Sequence, residues 1–275
     1  MNPIKKFYRR VLRKLRRTVV SRQAEVYLLS YPKCGRTWLR MLIGQMVLHH
    51  FARSYDDPMD LWGLTKRVRG VPRIVVSHDD KPHRRAPEEQ QSDKGPYAEK
   101  KVILLVRDPR DAMVSNFFHN KYRGRVFSGN LGEYLDRPRG GLASLLSYYN
   151  IWASQRSRPL DFLLVRYEDL HSRPIEVMGD IALFLGLTGM ETDTIEKAIE
   201  ASSFNNMRNS ESTGEYKRRR LQPGDPTDQR SYKTRKGKAG SYKEEFAPDD
   251  LAWLEERIEA ALDPFFDVYR YKTEL

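Results

Sequence analysis

The chain has 275 residues, with 49 Lys and Arg against 37 Asp and Glu for a net charge of +12; 39% of its residues are hydrophobic and 31% charged. That is enough for one large domain or two small ones with a full core, and the balance excludes a membrane-embedded chain and a wholly disordered one. The single cysteine, Cys34, excludes an intramolecular disulfide, argues against a cysteine-based metal site and fits a reducing compartment.

The charge is concentrated. Residues 1–22 carry nine Lys and Arg and no acid. Ile4, Phe7, Tyr8, Val11, Leu12, Leu15 and Val19 recur there at helical spacing with cations between them. No continuous apolar h-region exists, so this is not a secretory signal; an Arg-rich, acid-free start also resembles a transit peptide, though serine is scarce. Two readings stay open: a basic amphipathic helix on an anionic membrane surface, or a solvated helix packing on the body. The domain division follows, with 1–22 a basic amphipathic segment and 23–275 the folded domain. The expected location is cytoplasmic, with any membrane contact peripheral. A second basic stretch spans 217–238, with nine Lys and Arg against Asp225 and Asp228. The remaining body is near neutral, which argues against a nucleic-acid partner.

After Arg22 short apolar strands alternate with helices. Strands are expected over Val26–Ser30, 73–77, Lys101–Val106 and 162–166. Helices are expected over about 38–51, from Asp108-Pro109 to about 121, over 141–156, 174–185 and 194–201, and from Pro248 to about 262. Asp108 and Pro109 suit a helix start, and Gly186 suits a stop. Residues 208–245 read as an irregular basic stretch. The longest apolar runs, such as Val102 to Val106, fall well short of the ~18 residues of a spanning helix. The alternation predicts an α/β fold of three layers, P-loop-like, with a central and mostly parallel sheet covered by helices. Ligands in such folds bind where strand carboxyl ends meet helix amino ends.

Three segments at such junctions suit phosphate. Pro32-Lys33-Cys34-Gly35-Arg36-Thr37-Trp38 joins a strand to a helix; Gly35 allows close backbone approach, Lys33 adds a charge and Thr37 a hydroxyl. The P-loop consensus G-x-x-x-x-G-K-[ST] is absent. Arg107 lies just past a strand with Ser115 eight residues on; arginine forks onto phosphate, though pairing with Asp108 or Asp111 is the competing reading. Arg235-Lys236-Gly237-Lys238-Ala239-Gly240 combines glycines with cations, against the alternative of a solvated linker.

Taken together and in this order, these residues resemble the sulfotransferases that use 3′-phosphoadenosine 5′-phosphosulfate (PAPS), over roughly residues 24–262. The resemblance makes Pro32 through Trp38 the 5′-phosphosulfate loop, Arg107 through Ser115 the 3′-phosphate segment, Tyr167-Glu168-Asp169 a further landmark, and Arg235-Lys236-Gly237 followed by Ala239-Gly240 a late nucleotide-binding loop. It places Trp38 and Phe204 around the adenine, with Tyr167 and Ser202 beside them. It implies PAPS as co-substrate and no metal. The chain departs from the family pattern at Cys34 and Arg36, where Ser and Thr are usual, at Ser241-Tyr242 for Asp-Trp, and at Val76 for a lysine. The dimerisation motif of animal members does not survive around 243–251, so no oligomeric state is carried over.

Sulfuryl transfer needs a group to take the acceptor's proton and a group to stabilise charge on the leaving phosphate. His78 ends the expected strand 73–77 and has an unperturbed pKa suited to a base; the resemblance supports it, because a histidine follows a Pro-Arg-apolar run in the family and Pro72-Arg73 match that run. The resemblance puts Lys33 at the leaving oxygen, and with Val76 in place of the family's lysine the stabilisation is expected to fall more heavily on it. Asp79 or Asp80 could orient His78 or replace it. As acceptor, a carbohydrate, a lipid head group or another alcohol is compatible. The rival readings are a kinase-like phosphoryl transferase, which would want Lys-Ser/Thr and a magnesium carboxylate, and a non-catalytic basic adaptor.

Overall fold

The structure is a computed structural model that describes Tyr8 and residues 18–216 and 221–270. The segment 1–22 therefore lies, apart from Tyr8 and residues 18–22, outside the described residues. The sheet is built from β1 (Val26–Ser30), β2 (Ile74–Ser77), β3 (Lys101–Val106) and β4 (Asp161–Arg166). Its order is β2-β1-β3-β4 and every pairing is parallel. The two central strands read as unbroken apolar runs because both of their faces are covered: all five residues of β1 and five of the six in β3 are buried. Edge strands β2 and β4 are only partly buried, and their sequences are correspondingly less uniform.

The helices in chain order are α1 (Arg36–His50), α2 (Leu61–Thr65), α3 (Pro109–Phe118), α4 (Leu131–Leu135), α5 (Leu142–Gln155), α6 (Tyr167–Ser172), α7 (Pro174–Phe184), α8 (Thr192–Ala201), α9 (Phe204–Thr213), α10 (Pro248–Ala261) and α11 (Asp267–Arg270). One core joins the central strands to α1 and α5 and takes in Tyr149 and Trp152. Asp108 caps α3 by accepting from the Arg110 amide at 2.9 Å, as its sequence suggested.

Two expectations are corrected. The helix expected to reach residue 121 leaves α geometry after Phe118 and widens into a π turn over His119–Arg123. The stretch expected to be irregular from residue 208 includes most of α9, which Ser203 caps by accepting from the Asn206 amide at 3.4 Å. The sequence of α9, Phe-Asn-Asn-Met-Arg-Asn-Ser-Glu-Ser-Thr, has no apolar stripe; tertiary contacts of Met207, Ser210 and Glu211, all buried, hold it.

What positions a site is the strand order. From β1 the chain moves to β2 on one side, then crosses to β3 on the other. The loops leaving β1 and β3 thus diverge from adjacent strand ends, which opens a crevice at their carboxyl side.

Candidate active site

The loop after β1 is fixed from below. The Tyr31 hydroxyl, fully buried, donates to Ser144 Oγ at 3.1 Å. Tyr149 accepts from the Arg107 amide at 2.9 Å, donates to the Arg107 carbonyl at 2.8 Å, and lies 3.5 Å from Cys34 Sγ. The Cys34 side chain therefore points into the core, and burial pushes its thiol up to about 12. Only its backbone is left to meet an anion. Gly35 precedes α1 in left-handed geometry, φ 90°, and a Cβ there would lie 2.4 Å from the Tyr167 ring, so glycine is required on both counts. No side chain caps this helix start and no acid occupies its first turn, which leaves the positive end of the helix dipole turned to the crevice.

Four segments distant in sequence meet at Arg107. Its guanidinium donates to the Lys33 carbonyl at 3.5 Å and to the Lys238 carbonyl at 3.0 Å, and lies 4.2 Å from the centre of the Tyr167 ring. Its Nε is buried with no partner among the described residues. Asp108 is taken by Arg110 at 2.8 and 2.9 Å, so it does not compete for Arg107. Asp111 does approach Arg107, at 3.4 Å, but that carboxylate also accepts from the Gly240 amide at 2.7 Å and the Tyr242 amide at 3.0 Å. Ser115 lies further along α3 on the cavity wall.

These elements enclose a cavity of about 870 Å³. Lys33, Gly35, Arg36, Thr37, Trp38, His78, Arg107, Ser115, Tyr167, Phe204, Arg235, Lys236 and Gly237 all line it; the Cys34 and Ser202 side chains do not. The Trp38 indole N–H donates to the Ser202 carbonyl at 3.0 Å, so Ser202 anchors the ring through its backbone. Phe204 remains 40% exposed and covers Gly237, where φ is 63° and a Cβ would lie 2.2 Å from the Phe204 ring. Arg235 pairs with Glu245 at 2.7 Å and stacks 4.0 Å over Phe118, while Lys236 bridges Glu244 and Glu245.

The cavity is crowded with cations. Burial lowers Lys33 to about 7, helped by Arg123 and Arg107, and lowers Lys233 to about 7, helped by Lys33 and Arg123. The carboxylate of Glu211 opposes both shifts. Lys233 lies 3.2 Å from the Thr37 hydroxyl. Lys233, Arg123 and Glu211 were not singled out from the sequence. Lys233 was visible only as one of nine cations in its stretch, and nothing in the sequence distinguished the other two.

His78 sits at the end of β2. Its Nδ1 is 2.8 Å from the Ser30 carbonyl, which can only accept, so Nδ1 carries the proton and Nε2 the lone pair. Burial and the nearby Arg36 cation hold the imidazole down at about 3, so it is neutral at physiological pH. Asp79 is buried and accepts from Lys94 at 2.7 Å, Tyr97 at 2.7 Å and the Trp152 indole at 2.9 Å; Asp80 is bonded by Arg85 at the surface. Both carboxylates are thus engaged away from the role of base. Among the described residues no group of three or more His, Cys, Asp or Glu could hold a metal ion, and no helix is long and apolar enough to cross a membrane.

A parallel α/β sheet with a glycine-bearing, cation-rich loop at its switch point is a P-loop-like architecture suited to a phosphate-bearing ligand. The family model for the sulfotransferase domain matches residues 23–266, and the chain belongs to that family. Human sulfotransferase 2A1 is 27% identical over 259 residues, covering 89% of this chain and 86% of that protein. Chimpanzee sulfotransferase 6B1 is 28% identical over 196 residues, and the match spans 65% of this chain and 61% of that one. The crystal structure of mouse sulfotransferase SULT7A1 complexed with PAP shares the fold at a TM-score of 0.60 and 18% identity, covering 88% of this chain and 86% of the other. The family match sets aside the kinase-like reading and the non-catalytic adaptor.

Proposed function

We propose that the protein transfers a sulfuryl group from PAPS to an acceptor hydroxyl or amine, with His78 as general base and Lys33 stabilising the leaving phosphate. The supporting observation is the meeting of four segments at Arg107, in a cavity also lined by a histidine fixed by the same strand that launches the phosphate loop: Ser30, whose carbonyl orients His78, is the last residue of β1.

The residues present fit the donor. Lys33, Gly35 and Thr37, with the backbone of Cys34, suit its 5′ end at a helix start. Arg107 carries a buried nitrogen in need of an acceptor, and with Ser115 it suits the 3′-phosphate. Trp38 and Phe204 offer flat apolar faces for adenine, Tyr167 adds a ring over Gly35, and Arg235, Lys236 and Gly237 close the late loop. In the reaction the acceptor oxygen or nitrogen forms a bond to sulfur, the bond from sulfur to the bridging phosphate oxygen breaks, and His78 Nε2 takes the acceptor's proton. Lys33 meets the charge that grows on the bridging oxygen. An anion beside Lys33 raises its pKa, so the lysine is protonated when it is needed.

Purified protein with sulfate-labelled PAPS and a cell extract tests this directly: a labelled acceptor should form, and His78→Ala should cut its rate by roughly 10²–10⁴ while donor affinity is kept. Near-normal turnover in that variant would remove His78 from the mechanism. We further propose that the basic segment 1–22 makes reversible contact with an anionic membrane. Each cation near such a surface is worth about 1 kcal/mol within a Debye length. Sedimentation with anionic vesicles should fall at high salt and on removal of residues 1–22; equal binding by both chains at low salt would show that the segment is not the anchor.

A further inference from the structure

The lone pair that a base at His78 must use is already engaged. Arg36 Nη2 lies 2.5 Å from His78 Nε2. Since Nδ1 is committed to Ser30, the guanidinium donates and Nε2 accepts. An imidazole held this way has no free electron pair for a substrate proton. Arg36 is also the first residue of α1, at the helix start where the donor's phosphosulfate is placed, and its side chain lines the cavity. A guanidinium binds a charged phosphate or sulfate oxygen more strongly than a neutral ring nitrogen, and its fork fits two such oxygens at once.

We propose that Arg36 is a donor-responsive positioning residue: it covers the Nε2 lone pair of His78 until the donor's phosphosulfate draws its guanidinium away, so the base is released when the donor is in place. This rests on the reading of His78 as base and of the β1–α1 loop as the phosphosulfate site. It assigns a purpose to a departure from the family pattern, because the threonine usual at this position carries no cation to reach the histidine. The coupling is reciprocal: whatever holds Arg36 on His78 opposes donor binding by the same amount.

The groups facing His78 are few. Arg36 approaches from α1 and the Ser30 carbonyl from β1. The His83 ring lies 5.6 Å away between centroids, in the turn Pro82–Arg84, and is itself held down at about 4 by burial, Arg84 and Arg36. The Lys233 cation acts on His78 from the strap after α9. Release of Arg36 removes one cation from this set, so the His78 pKa should rise on donor binding.

Heteronuclear NMR of the full chain with ring-labelled histidine reads this contact without relying on turnover. Three samples suffice: wild type alone, wild type saturated with adenosine 3′,5′-bisphosphate, and Arg36→Met alone. The wild-type Nε2 signal should be that of a bonded acceptor nitrogen; it should move toward a free imidazole nitrogen on adding the bisphosphate, and Arg36→Met should show the moved position without any nucleotide. Arg36→Met should also bind the bisphosphate about tenfold more weakly, because a charge-assisted hydrogen bond is lost. An Nε2 signal unchanged by saturating bisphosphate would overturn the release, and one identical in wild type and Arg36→Met would overturn the contact. If the variant does not fold, the two wild-type samples still decide the release. A bisphosphate that fails to bind would refute the donor site and the release with it. A lock that behaves as expected in a protein whose His78→Ala variant keeps full turnover would leave Arg36 on His78 but refute the base.

Discussion

The loop after β1 and the strap after α9 bring a lysine each to the same place, by different means. Lys33 is carried by a five-residue turn between a buried strand and a buried helix, clamped by Tyr31 and Tyr149 from the core. Lys233 is carried by a segment with almost no regular structure. Glu211, fully buried on α9, holds it: this one carboxylate accepts from the Lys233 amide at 2.7 Å, the Thr234 amide at 2.9 Å, the Thr234 hydroxyl at 2.7 Å and Arg123 at 3.3 Å. The first loop is positioned by core packing, backbone geometry and the tyrosine hydrogen bonds beneath it, whereas at Lys233 and Thr234 the strap is held chiefly by one buried charge. Packing spreads its contribution over many contacts, whereas a buried carboxylate concentrates it in one residue.

That difference can be broken at either end. The largest effect is expected at Glu211. Glu211→Ala leaves Arg123 without its carboxylate and two half-buried amides without an acceptor, so it should cost about 3–5 kcal/mol in denaturant unfolding and weaken donor binding as the strap loosens. In the first loop, Cys34→Ala removes one buried sulfur that contacts Tyr149 but does not line the cavity. It should cost about 1 kcal/mol of stability and leave donor affinity unchanged. Equal losses from the two variants would show that the strap is not held by its carboxylate.

Between these two in size is a pH dependence. Lys33 and Lys233 are both lowered to about 7, first by burial and then by neighbouring cations. Below that value both carry a proton and attract the donor; above it each must take one up on binding. Donor affinity measured by calorimetry should therefore fall as pH rises through 7, by up to about tenfold per unit for each lysine. A flat profile from pH 6 to about 9 would show that neither lysine meets the donor.

The same contrast governs what could be read from the sequence. β1 and β3 have the bounds expected for them, because a strand covered on both faces must be apolar throughout. The helix starts at Pro109, Pro174 and Pro248 also agree, since proline is tolerated in the first turn and disfavoured beyond it. α2 and α4, five residues each, were too short to show a helical period. α9 was missed because tertiary contacts hold it, among them those of Glu211, whose partners stand 22 and 88 residues away. In the site, the residues that resemblance assigned to the donor line one cavity, apart from the Cys34 and Ser202 side chains. The seat of Arg36 on His78 could not be seen, because it depends on two rotamers from segments 42 residues apart.

The central claim is that one donor spans the β1–α1 loop and Arg107 together. Calorimetry with adenosine 3′,5′-bisphosphate and with adenosine 5′-monophosphate, on wild type and Arg107→Ala, tests it most directly. The bisphosphate should bind much more tightly than the monophosphate, because only it reaches both sites. Arg107→Ala should cost the bisphosphate about 1.5–3 kcal/mol, the range for hydrogen bonds to charged groups, and the monophosphate far less. Equal affinity of the wild type for the two nucleotides would contradict the account.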